Sequence, residues 1–147
     1  MRPAVTALAV VIGLVAPLPS SAQATPAVPG ATASDYHFAA DTGLLVFHVH
    51  RDRTADFEAV MQRLAEGLRS TATPQRREQA AGWRLFRARD TSEAAIYVVV
   101  ANPVVRDADY DPVKLLTELA PGEAPALYER LRASVIRVER LDLDRLH

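Results

Sequence analysis

The run Ala94–Ala101 (AAIYVVVA) carries no charge and is rich in β-branched residues, the composition of a strand. Successive side chains of a strand point to opposite faces, so Ile96, Val98 and Val100 share one face while Ala95, Tyr97 and Val99 share the other. Both faces are apolar. Such a strand belongs in the middle of a sheet that needs cover on two sides.

The flanking segments supply the rest of a sheet and one of its covers. Leu44–His50, after Gly43, is a first β-rich run that Arg51, Asp52 and Arg53 close off. Thr54 is placed to cap a helix running to about Arg69, with Phe57, Val60, Met61, Leu64 and Leu68 at helical spacing. Gln75–Ala81 reads as a further short helical piece, and Trp83–Arg89 as a second strand forming a hairpin with Ala94–Ala101. Asp111 and Pro112 are the N-cap and first residue of a helix using Val113, Leu115, Leu116 and Leu119. After Pro121 a second piece with Leu127, Tyr128 and Leu131 leads into a fourth strand, Ser134–Leu143.

This element order is β-α-β-β-α-β, which predicts an α+β, ferredoxin-like fold with an antiparallel sheet in the order 4-1-3-2. Charge supports the order. Strands two and four carry Arg84, Arg87 and Arg89, and Arg137, Glu139 and Arg140, and charged strands suit sheet edges. Helices cover one face only, so the apolar second face of strand three lacks a partner. Over Gly43–Leu143 the chain thereby resembles the dimeric α+β barrel superfamily, in which two ferredoxin-like subunits stack open sheet faces. Antibiotic-biosynthesis-type monooxygenases and haem-handling proteins are among its members. The resemblance implies a homodimer and a pocket, within the barrel or between sheet and helices; it assigns no residue a catalytic role.

Residues 1–24 read as a secretory signal peptide. Arg2 precedes an apolar run from Ala4 to Ala16, and Pro17, Pro19, Ser20 and Ser21 lead to small-residue cleavage sites after Ala24 or Ala22. The run is shorter than the roughly 20 apolar residues that span a membrane, so no anchor is expected after cleavage. Residues 25–42 form an expected N-terminal leader, flexible through TPAVPGATAS, with Tyr36, His37 and Phe38 as a possible short arm against a domain spanning 43–147. The expected location is periplasmic or extracellular. The absence of cysteine excludes disulfides and thiolate metal sites, and a net charge of -1 provides no field for nucleic acid.

For chemistry, His48 and His50 stand out. An i, i+2 pair on a strand puts two imidazoles on one face, about 7 Å apart at the backbone, with Asp52, His37 or Glu139 as a third metal ligand. The competing reading is a pair of strand-end histidines bonded to an interface or to solvent. Trp83 and Tyr97 join the histidines as ligand-binding candidates, Trp83 also fitting a core or dimer contact. Asp107, Asp109, Asp111 and Glu118 match four positions of a calcium loop, but Pro112 occupies the position that requires glycine. The pairs Arg51/Arg53, Arg76/Arg77 and Arg84/Arg87 suit either anions or surface ion pairs. No motif calls for a cofactor, and no hydrolase, phosphate-loop or zinc-protease motif is present. The leading expectation is a homodimeric ligand-binding or interaction module with a small apolar or aromatic ligand. The alternatives are a cofactor-free oxidoreductase of the monooxygenase kind, and a metal or haem carrier using His48 and His50.

Overall fold

A computed structural model describes residues 36–89 and 93–147. The chain divides into Met1–Gly30 and Ala31–His147, and every described residue belongs to the second unit. The expected signal peptide lies outside the described residues, as does the start of the leader.

The secondary structure runs β1 (Thr42–Val49), a single 3-10 turn (Arg51–Arg53), α1 (Thr54–Ser70), α2 (Pro74–Gly82), β2 (Trp83–Arg87), β3 (Ala95–Ala101), α3 (Pro112–Leu119), α4 (Ala124–Ser134) and β4 (Val135–Leu143). All strand pairs are antiparallel, giving an α+β fold compatible with the ferredoxin-like arrangement. The sheet order is β2-β3-β1-β4, the 4-1-3-2 of the sequence reading being written from the opposite edge. Charged β2 and β4 are the edges and apolar β3 and β1 the centre. β2 is shorter than expected, ending at Arg87.

Burial alternates strictly along the two central strands. Leu45, Phe47 and Val49 of β1, and Ala95, Tyr97, Val99 and Ala101 of β3, are buried in one core with Phe57, Val60, Met61, Leu64 and Leu68 of α1. Leu115 and Leu116 of α3 and Leu127 and Leu131 of α4 complete it. Burying an apolar side chain of this size stabilises by about 1.5–3 kcal/mol, which is why the 3.6-residue stripe of α1 faces this side of the sheet.

One local expectation is corrected. Thr54 does not cap α1: the 3-10 turn runs straight into the helix, the cap position is Arg53, and no side chain bonds there. Within the expected leader, the described residues before β1 pack as an arm. Phe38 is buried edge-on against Tyr110 at 5.1 Å, the Tyr110 amide donates to Tyr36 O at 3.0 Å, and the Val104 amide to Asp41 O at 2.9 Å. The aromatic residues of this short segment outweigh its lack of periodicity.

Candidate functional site

The even-numbered residues of β1 and β3 face away from all four helices. Leu44 and Val46 lie there with Ile96, Val98 and Val100, each half-buried. Register adds Phe86 of β2, opposite Val98, and Leu141 and Leu143 of β4, opposite Leu44 and Thr42. Phe86 is 55% exposed and Leu141 45%. No described segment crosses this floor, an exposed apolar surface of the kind that marks an interaction site.

His48 belongs to the same face, opposite Arg137. Its Nε2 is 3.0 Å from Glu139 Oε1 and 3.1 Å from Arg137 Nη2, and Arg137 in turn reaches Glu139 at 3.1 Å. When Nε2 carries the proton it donates to Glu139; when it does not, it accepts from Arg137. The group is a charged and polar cluster at one end of an apolar floor.

His50 lies just beyond the end of β1. β1 ends at Val49, and the chain turns at His50, whose amide donates to Ser134 O at 2.9 Å. Val49 pairs with Val135 but His48 with Arg137, so Ile136 bulges from β4 where β1 ends. The extrapolated two-residue period runs one residue too far. Among the described residues no three His, Cys, Asp or Glu side chains gather as a metal site would require, and a guanidinium already stands 3.1 Å from the His48 nitrogen.

Tyr97 and Trp83 lie on the other face, in the core. The Tyr97 ring packs tilted against Phe57 at 4.7 Å beneath the Arg87 guanidinium, and its hydroxyl donates to Glu58, which also pairs with Arg87 at 3.2 Å. Burial first, then the Glu58 carboxylate, push its pKa up to about 12, so it remains a neutral phenol. Trp83 is stacked on Tyr110, ring centroids 6.4 Å apart, with its buried indole N–H unpartnered. The four residues singled out in the sequence therefore occupy three separate environments.

The acidic loop positions are also dispersed. Asp109 binds Lys114 and the Asp111 amide, Asp111 accepts from the Val113 amide at 2.8 Å as the N-cap of α3, and Glu118 forms a two-oxygen pair with Arg76. Asp107 stands apart with φ 59°, a left-handed conformation that Asp tolerates.

The pocket that the resemblance implied has a lining that went unseen in the sequence. Between the sheet and the helices, where α3 and α4 part at the β4 side, is an apolar cavity of about 220 Å³. Phe47, Val135 and Val138 form its sheet wall, Pro112 and Val113 come from α3, and Leu131 from α4. Tyr36 and Tyr128 add aromatic surface, while Asp111 and Arg132 place charge beside it. No local pattern marks residues contributed by five separate segments. No protein-family model, no curated protein and no solved structure matches the chain.

Proposed function

We propose that this protein is an exported homodimeric binding module of the dimeric α+β barrel kind, in which two copies stack their open sheet faces and each holds a small apolar or aromatic ligand in the cavity beside α3 and α4. The observation carrying this reading is the uncovered apolar floor of Leu44, Val46, Ile96, Val98 and Val100. A two-fold interface is self-complementary, so one such face serves both partners, and stacked sheets pack about 10 Å apart. The cavity suits a monocyclic aromatic compound: dry apolar cavities of about 150 Å³ take benzene. Arg132 and Asp111 at its lining favour a ligand with one polar substituent.

Sedimentation at micromolar concentration tests the assembly. The parent is expected to be a dimer and Val98→Asp a monomer with unchanged circular dichroism, because a carboxylate at the floor's centre would be buried unpaired. A monomeric parent would overturn the dimer. Native mass spectrometry of the purified protein tests the ligand: a retained small molecule is expected in the parent and lost in Val113→Trp, where the half-exposed Val113 widens into an indole at the cavity wall. An empty parent that also fails to bind simple aromatic compounds sinks the ligand reading.

A further inference from the structure

Most arginines near an acid are spent on it. Arg63 pairs with Glu123, Arg76 with Glu118, Arg87 with Glu58, Arg137 with Glu139 and Arg140 with Asp142. Arg69, Arg77 and Arg84 have no acidic partner among the described residues, and all three line one groove of about 400 Å³ at the β2 edge. Between them lie Ala80 and Ala81, whose methyl groups leave the guanidiniums unobstructed, and no carboxylate lines the groove.

Helix electrostatics explain one of the three. Arg69 sits in the last turn of α1, the end where a cation is favourable by itself. Arg77 follows Arg76 near the start of α2, where the helix dipole disfavours a cation and no acidic residue offsets it in the first turn. Arg84 is held in place: its Nη1 donates to Ala81 O at 2.9 Å and Trp83 O at 2.8 Å, which fixes the guanidinium and leaves its charge without a carboxylate among the described residues. Three like charges drawn together, one of them pre-positioned, suit an anion that can accept from several forks at once.

We propose that this groove binds a phosphate group, carried by a soluble phosphate monoester or by a lipid headgroup. A monoester brings close to two negative charges and three acceptor oxygens, against one charge and two oxygens for a carboxylate. By register Arg84 stands opposite Val100, at the β2 edge of the open sheet face, while the groove shares no lining residue with the apolar cavity.

Calorimetric titration of the whole protein with glycerol phosphate tests it, acetate at matched ionic strength being the control. Saturable phosphate binding is expected, weakened roughly tenfold or more in Arg77→Gln, since a charge-assisted bond contributes that much. Arg77 is exposed and Arg63→Gln lies outside the groove, so folding and non-specific charge effects are both controlled. A lipid source would show as sedimentation with phosphatidic acid vesicles, but not phosphatidylcholine vesicles, that Arg77→Gln abolishes. The proposal is overturned if neither phosphate form binds, if acetate binds equally well, or if Arg77→Gln and Arg69→Gln bind as the parent does.

Discussion

Asp111 has a local job that can be measured. Its carboxylate accepts from the Val113 amide, so Asp111→Ala is expected to cost about 1 kcal/mol in chemical denaturation, identically with and without calcium. A calcium-dependent loss would overturn the cap assignment. Tyr97 makes a second residue-scale case. A phenol whose pKa is higher folded than unfolded contributes stability below its free value, about 10, and loses it as pH rises toward about 12. Ultraviolet titration should show this late ionisation, brought lower but not normalised by Glu58→Gln, because burial remains the larger cause. The cap was legible in the sequence since Asp111, Pro112 and Val113 are adjacent. The environment of Tyr97 was not: its partners Phe57 and Glu58 come from a helix about forty residues earlier, joined to it only by the fold.

α2 and the loop before α3 illustrate the same difference between elements. Gln75–Ala81 announces a helix by its composition, yet its task is to clamp that loop. Buried Gln79 donates to Asp109 O at 3.1 Å, and Arg76 bonds Gln79, Asp109 O and Glu118 together. Apart from the Arg76–Gln79 bond within α2, these bonds reach across 30 to 42 positions, so no local spacing encodes them. Arg76 holds the Glu118 carboxyl below the usual carboxylate range against some burial. Burial pushes Asp109 up, but Lys114 and the Asp111 amide outweigh it and leave that group lowered too. Both carboxyls release their protons more readily in the folded chain than in the unfolded one, so their stabilisation is present above the ordinary range of about 4 and disappears as pH falls through the folded values. The melting temperature should be nearly level from about pH 7 to 5 and drop below about 4. Glu118→Gln should lower the plateau and make the drop shallower; a drop as steep as the parent's would remove the clamp from the explanation.

For the whole molecule, β3 was the informative segment: two apolar faces placed it centrally, and charge sent β2 and β4 to the edges. The bulge at Ile136 and the lining of the cavity were hidden because both arise where separate elements meet. The pairing of β1 with β4 has one more consequence, in time rather than space. Synthesis delivers β1 early and β4 late, so the sheet cannot be completed until residues 135–143 have been made. Until then Phe47 lacks its cross-strand neighbour Val138 and one whole edge of β1 is unpaired. Because such distant contacts must form before the fold rewards them, a chain stopped after Ala133 should show no cooperative melting by circular dichroism. The growing polypeptide would thus stay an open thread, fit to pass through a narrow passage, and would take its shape only after its last strand arrived.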